Sequence, residues 1–125
     1  MTFELFQKLM SFETQSRLCV EILFFVKGNE KFDYCWMGKM PDRDTKQDIF
    51  WYGLTSDGKN AYDYPTFEEF VSDNVFDGKS LVDIWDNIMI EAINDCDPME
   101  MVDMYLSRRG GMGAPQYYLN KKKNR

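Results

Sequence analysis

Two stretches of this chain alternate with the two-residue period of a β-strand, and each is apolar on both of its faces. The first is residues 18–26, in which Glu21 is the only charged side chain. The second is residues 48–54, where Ile49 and Trp51 share one face and Phe50, Tyr52 and Leu54 share the other. Strands of this kind are normally buried on both sides. The chain is therefore expected to fold around a β-sheet, and what covers the two faces of that sheet is the main question.

The first strand is followed by turn residues at positions 28–30 and by a return strand with alternating aromatic residues. A three-residue loop forms three apolar pairs on one face: Val26 with Phe32, Phe24 with Tyr34, and Ile22 with Trp36. We favour this register because of those pairs. The turn chemistry alone does not exclude a loop of two or four residues.

Short connections favour an antiparallel meander that continues through strands at 48–54 and 61–64, with 87–93 as a candidate fifth strand. Capping signals at Thr2, Thr66, Ser80 and Asp97 predict four short helices, over 2–12, 66–72, 80–86 and 98–107. We therefore predict one α+β domain over residues 1–110, in which short helices pack on a meander of four to five strands. Residues 111–125 are expected to form a basic, flexible tail.

The charges divide the chain into three sections of different sign. Residues 1–41 carry five acids and five bases, residues 42–103 carry sixteen acids and four bases, and residues 104–125 carry six bases and no acid. The net charge of −6 thus conceals a middle section of −12. Because an acidic body attracts bases and repels nucleic acid, we expect a basic protein partner or a second copy of the chain. Nucleic acid would be contacted only through the tail.

The residue types present argue against most catalytic chemistry. The chain contains no histidine, which removes imidazole-based triads and the usual zinc sites. Calcium loops starting at Asp42 or Asp95 would place Lys46 or Met99 at a ligand position, so neither fits an EF-hand. We predict no metal, no cofactor and no catalytic residue. A small enzyme that uses carboxylates stays a third alternative, because a chain with twenty-one acids always offers carboxylate pairs.

Several signals concern the cellular compartment. The three cysteines form no Cys-x-x-Cys pair, and the start of the chain lacks the basic region of a secretory signal. The longest wholly apolar run, Ile22 to Val26, is far short of the ~20 residues of a membrane helix. We therefore expect a cytoplasmic protein with reduced thiols that does not associate with membranes.

Three surfaces are candidates for binding. The first is an aromatic platform on the sheet, anchored by Trp36, Trp51 and Tyr52, which exists only if the helices leave one face open. The alternative is a core on both sides of the sheet. The second is an acidic surface on two neighbouring short helices, which either docks a basic protein or simply confers solubility: Glu68, Glu69, Asp73, Asp77, Asp83 and Asp86. The third is the tail, which either contacts phosphates or lies on the acidic body: Arg108, Arg109, Tyr117, Tyr118, Lys121, Lys122 and Lys123.

Short segments of the chain, Trp36–Asp42, Trp51–Leu54 and Asp77–Leu81 with Ile84-Trp85, resemble signatures in a group of small uncharacterised bacterial proteins. The resemblance covers residues 32–90 and implies a bacterial origin, but no activity and no site residues.

These observations favour a non-catalytic binding protein whose acidic half engages a basic partner, in the manner of an inhibitor or immunity protein. The alternative is a self-associating structural or accessory protein, held together by the aromatic strands and the basic tail.

Overall fold

A five-stranded antiparallel sheet with helices packed against it forms the fold. The computed structural model describes residues 1–11, 19–55 and 59–109, the last three of these for their backbone alone. The strands are β1 (Val20–Val26), β2 (Cys35–Pro41), β3 (Asp48–Gly53), β4 (Ala61–Tyr64) and β5 (Ile88–Ile93). The helices are α1 (Phe3–Met10), α2 (Phe67–Ser72), α3 (Leu81–Ile84) and α4 (Pro98–Arg109), with 3₁₀ turns at Glu30–Phe32 and Trp85–Asn87. Across the sheet the order is β4–β3–β2–β1–β5, which confirms the predicted α+β meander.

Each described helix begins at a capping residue that the sequence predicts. The side chains of Thr2, Thr66, Ser80 and Asp97 each accept a hydrogen bond from the backbone N–H three residues further on, at 3.1–3.2 Å. Asp83 completes a capping box by accepting the backbone N–H of Ser80 at 3.1 Å. These bonds satisfy N–H groups that have no partner inside the helix, so the helix starts are set locally. Within the described residues, no helix has the length and apolar character needed to cross a membrane.

The register of the β1–β2 hairpin differs from the predicted one by one residue. Phe24 pairs with Cys35, Leu23 with Trp36, and Ile22 with Met37. The connection is longer than predicted because Glu30–Phe32 forms a 3₁₀ turn, in which Asn29 Oδ1 accepts the N–H of Lys31 at 3.2 Å. A slip of one residue moves every side chain of a strand to the opposite face. Trp36 therefore lies on the face of Leu23, and not opposite Ile22.

The four helices pack on the same face of the sheet. The buried residues on this face form one cluster, to which β1 contributes Val20, Ile22 and Phe24, and the helices contribute Phe6, Leu9, Phe70, Leu81, Val102 and Tyr105. The shifted register also points Lys39 of β2 into this face, where its side chain is fully buried. Its Nζ lies 3.5 Å from Asp48 Oδ2, an ion pair that offsets part of the cost of burying the charge.

A β-bulge alters the alternation of the fifth strand. Phe24 of β1 pairs with Ile90 and Leu23 pairs with Ala92, so Glu91 is the extra residue between them. Ile90 and Ile93 consequently both lie on the core face, although they are three positions apart in the sequence. A strict period of two would have placed them on opposite faces.

The backbones of β1 and β2 approach each other tightly at Gly38. A Cβ at this position would lie 1.9 Å from the carbonyl oxygen of Val20 and 3.0 Å from the Trp51 ring. No side chain fits there without moving one of the two strands. Gly53 faces the same side, but a Cβ there would meet its nearest neighbour, Trp36 Cβ, only at 3.9 Å.

We predict that Gly38→Ala lowers the free energy of unfolding by about 3 kcal/mol or more, because the added methyl overpacks against backbone that cannot yield. Gly53→Ala is the matched control, with an expected change below about 1 kcal/mol. Urea denaturation of the three proteins gives these values. Equal losses for the two variants would show that the approach at Gly38 is not tight.

The three cysteines are free thiols in different surroundings. Cys19 and Cys96 are exposed, whereas Cys35 is buried in β2 and its Sγ donates to the carbonyl oxygen of Leu54 at 3.5 Å. Burial raises the pKa of the Cys35 thiol from 9.0 to about 11. The folded state therefore retains this proton at a pH where the unfolded chain has lost it.

We predict that stability falls as pH rises between 9 and 11, since proton loss favours the unfolded chain over that range. For one such group the slope is at most about 1.4 kcal/mol per pH unit. Unfolding free energies measured from pH 8 to 10 should show a smaller decline for Cys35→Ala than for the native chain. Cys19→Ala is the control and should leave the decline unchanged. An identical pH dependence for all three proteins would contradict the buried thiol.

Candidate interaction surfaces

One face of the sheet is left uncovered by the four described helices. We call it the open face, and its large apolar side chains on β1, β2 and β3 are Leu23, Phe25, Trp36, Met40, Ile49 and Trp51. Five of these six are half-buried and Met40 is 46% exposed. In the described part of the chain, strands that are apolar on both faces are therefore covered by helices on only one face. Trp36 and Trp51, two of the three predicted anchors of the aromatic platform, lie on this face.

The two tryptophans of the open face each lie opposite a glycine. Trp36 pairs with Gly53 and Trp51 pairs with Gly38. The two tryptophans are therefore diagonal neighbours across β2 and β3, and so are the two glycines. The Trp51 ring passes over both glycines, since it lies 3.0 Å from a Cβ built at Gly38 and 4.0 Å from one built at Gly53. Because the glycines have no side chain, they leave room for the Trp51 ring, which is half-buried.

The sequence contained a signal for this arrangement that the strand patterns alone did not reveal. Two Trp-x-Gly tripeptides occur, at 36–38 and 51–53, on strands predicted to be near neighbours. On adjacent antiparallel strands, such tripeptides place each tryptophan opposite the glycine of the other when the register is the observed one. Tyr34 extends the aromatic surface, because its ring meets Trp36 edge-on at 6.2 Å and is 64% exposed.

Tyr52, predicted as the third anchor of the platform, belongs to the core. It alternates with Trp51 and therefore points to the helical side, where it is 1% exposed. Its ring stacks on Phe70 of α2 with centroids 4.3 Å apart, and its hydroxyl donates to the Phe70 carbonyl oxygen at 2.6 Å. Burial raises the pKa of Tyr52 well above its usual range. Its contribution is to dock α2 on the sheet, so it is removed from the candidate surface.

The six acids predicted to form one surface all lie on the helical side of the molecule and are exposed. Glu68 and Glu69 occupy the first turn of α2, and Asp73 follows its end. Asp83 lies in the first turn of α3, which contacts α2, and Asp86 lies in the following 3₁₀ turn. The structure thus places these five carboxylates on neighbouring elements. We call them the acidic surface.

The sixth acid, Asp77, is set apart by an ion pair. Lys31 Nζ lies 2.7 Å from Asp77 Oδ1, and Asn29 donates to the other oxygen at 3.2 Å. These hydrogen bonds, that of Lys31 first, lower the pKa of Asp77. Its charge is largely compensated locally, so it contributes little to the acidic surface. Among described bases, none forms an ion pair with any of the other five acids.

Two acids of the surface are held in place by local hydrogen bonds. Asp73 Oδ2 accepts the hydroxyl of Tyr64 at 2.6 Å. Asp83 is bonded to the backbone and side chain of Ser80, and these bonds lower its pKa, with a smaller contribution from the charge of Lys79. Such bonds fix the direction of a carboxylate without neutralising it. Part of the acidic surface is therefore preorganised.

The residues predicted to make tail contacts lie at the end of α4 and beyond it. Arg108 and Arg109 end α4, and their side chains lie outside the described residues. Tyr117, Tyr118 and Lys121–Lys123 also lie outside the described residues, as does the whole proposed tail 111–125. The structure therefore does not test these contacts.

A further cleft, which the sequence patterns did not indicate, lies where the start of α1 meets the second 3₁₀ turn. It has a volume of about 810 Å³ and is lined by Met1, Phe3, Trp85 and Met99 among others. The indole N–H of Trp85 donates to the Met1 carbonyl oxygen at 3.1 Å across it. In the described part of the chain, no group of three or more acids and cysteines is arranged to hold a metal ion.

No family model, no curated protein and no solved structure matches this chain. The open face and the acidic surface are therefore the features from which a function is inferred.

The placement of Tyr52 leads to a prediction about stability. Tyr52→Phe removes a buried hydrogen bond and leaves the Phe70 carbonyl oxygen without its donor, which should cost about 1–2 kcal/mol of unfolding free energy. Tyr34→Phe removes an exposed hydroxyl and should change stability by less than about 0.5 kcal/mol. Urea unfolding of both variants measures the difference. A larger loss for Tyr34→Phe would mean that the faces of β2 and β3 are assigned the wrong way round.

Proposed function

We propose that this chain is a non-catalytic binding protein whose acidic surface docks on a basic partner protein. The observation that supports this most directly is the charge on α2, α3 and the turn that follows. Glu68, Glu69, Asp73, Asp83 and Asp86 are exposed there, and no described lysine or arginine forms an ion pair with them. A negative potential on one side of a small domain attracts a basic partner and speeds the encounter with it.

Local bonding supports a docking role over simple solvation of the surface. The carboxylates of Asp73 and Asp83 are held by hydrogen bonds from Tyr64 and Ser80. A preorganised acceptor loses less conformational entropy when a lysine or arginine binds to it than a freely rotating one. The pKa of Asp83 is also lowered, so this group stays ionised at neutral pH. Both properties favour recognition of a cationic group.

The corresponding class of function is that of a small acidic inhibitor or immunity-like protein acting in the bacterial cytoplasm. In such a protein the acidic surface covers a basic region of the partner and keeps that region from binding nucleic acid or another acidic target. This assignment to a class rests on charge and on analogy with acidic inhibitors.

A second candidate function is self-association as a structural or accessory protein. The open face favours it, because Trp36 and Trp51 present aromatic surface to solvent with no described helix over them. Tryptophan is enriched at the energetic centres of protein interfaces. The acidic surface and the open face lie on opposite sides of the sheet, so the two candidates predict separate sites.

We predict that neutralising Glu68→Gln, Glu69→Gln and Asp86→Asn together weakens binding of the basic partner by about tenfold or more, because three attractive charges are lost. The tagged native chain and this triple variant serve as baits in a lysate of the source organism. Each capture is done at ~50 mM salt, where charge attraction is weakly screened, and at ~500 mM salt, where it is strongly screened. Proteins that the native chain captures are identified, purified and titrated directly against both baits.

The matched control is Asp44→Asn, Glu91→Gln and Asp95→Asn, which removes the same number of charges from exposed positions outside the acidic surface. If the acidic surface is the docking site, the control variant binds the partner as the native chain does. High salt then releases the partner from both. A partner that is insensitive to salt, or equally weakened by both triple variants, would refute docking through the acidic surface.

A further inference from the structure

The open face combines apolar area with negative charge at its margins. Its central row runs from Asp63 on β4 through Trp51 and Gly38 to Glu21 on β1, so an acid stands at each end of the row. Both acids are exposed. The strand residues that point to this face include no lysine or arginine. A ligand for the open face should therefore carry aromatic or aliphatic groups next to positive charges.

One segment of the chain itself has this chemistry. Residues 111–125 contain Tyr117, Tyr118 and Leu119, followed by Lys121, Lys122, Lys123 and Arg125, and they contain no acid. Aromatic side chains supply large contact area, and lysine or arginine close to a tryptophan ring gains a cation–π attraction. The segment thus matches the open face in both apolar character and charge sign.

The end of α4 lies on the helical side, beside the end of the sheet at which β1 begins. The hydroxyl of Tyr105, in the last part of α4, donates to the carbonyl oxygen of Cys19 at 2.9 Å, immediately before β1 starts. Glu21 is only two residues further along β1. Fifteen extended residues reach about 50 Å. A sheet of five strands is about 20 Å across, because neighbouring strands lie ~4.8 Å apart. The segment is therefore long enough to pass the end of the sheet and cross β1, β2 and β3.

We propose that residues 111–125 are an intrachain ligand of the open face. Tyr117, Tyr118 and Leu119 pack over Trp36 and Trp51, and the basic residues that follow lie beside the acids of the same face. This inference goes beyond the proposed binding of a basic partner, because it concerns the opposite side of the sheet. Its consequence is that the open face is occupied within each copy of the chain, which disfavours self-association through that face.

The three tryptophans provide a direct test. Trp36 and Trp51 lie on the open face, whereas the Trp85 indole N–H is bonded to Met1 on the helical side. Indole N–H signals of the ¹⁵N-labelled full chain are compared with those of a chain ending at Gly110. We expect the signals of Trp36 and Trp51 to shift on truncation and that of Trp85 to stay. Adding a synthetic peptide of residues 111–125 to the truncated chain should restore both signals at low salt and should fail to do so at ~500 mM salt.

Two full-length variants test whether the positive charge of the segment, and not only its presence, is needed for contact with the open face. Lys121→Gln, Lys122→Gln and Lys123→Gln together should reproduce the shifts caused by truncation. The matched control, Lys8→Gln, Arg43→Gln and Lys46→Gln, removes the same positive charge from exposed positions outside the segment and should leave Trp36 and Trp51 unchanged. The triple variant of the acidic surface should also leave them unchanged, so the two proposals fail separately.

Several results would overturn the inference. Identical Trp36 and Trp51 signals in full and truncated chains would show that the segment does not touch the open face. Shifts that grow with protein concentration, with a doubled molar mass in light scattering, would assign the segment to the open face of a second copy. A shift of all three tryptophans would mean that truncation disturbs the whole fold.

Discussion

The register between β1 and β2 determines how the rest of the sheet is arranged. In that register Glu21 lies opposite Gly38 and Leu23 lies opposite Trp36, and the glycine leaves room for the carbonyl oxygen of Val20. This register assigns every residue of β2 to a face, and β3 inherits the assignment through its pairing with β2. The core on the helical side and the open face on the other both follow from it, because a shift of one residue would exchange them.

The two sides of the sheet have different chemistry because the helices cover only one of them in the described part of the chain. On that side, aromatic packing such as the Tyr52–Phe70 stack attaches α2, and the outer surfaces of α2 and α3 then present their acids to solvent. On the other side, Trp36 and Trp51 lie over glycines and stay accessible. A binding partner attracted by charge and a ligand attracted by apolar area would thus meet different surfaces of the same domain.

Electrostatic compensation also differs between positions that look alike in sequence. Asp77 and Asp83 are both turn or cap acids of the same section, yet Asp77 lies 2.7 Å from Lys31 whereas Asp83 is bonded mainly to Ser80. The first arrangement cancels a charge and the second keeps it while fixing its direction. The net charge of an acidic surface therefore depends on which bases the fold brings near it. The number of acids in that part of the sequence sets only the maximum negative charge.

Local patterns by themselves determined the helix starts, the approximate strands and the α+β class, because caps and alternation act between residues close in sequence. Thr66, Ser80 and Asp97 cap helices for that reason, and Trp51 and Tyr52 alternate as expected. Tertiary structure alone decided the β1–β2 register, the burial of Tyr52 and Lys39, and the pairing of Lys31 with Asp77. These depend on a 3₁₀ turn in the hairpin and on contacts between distant segments, for which periodicity carries no information.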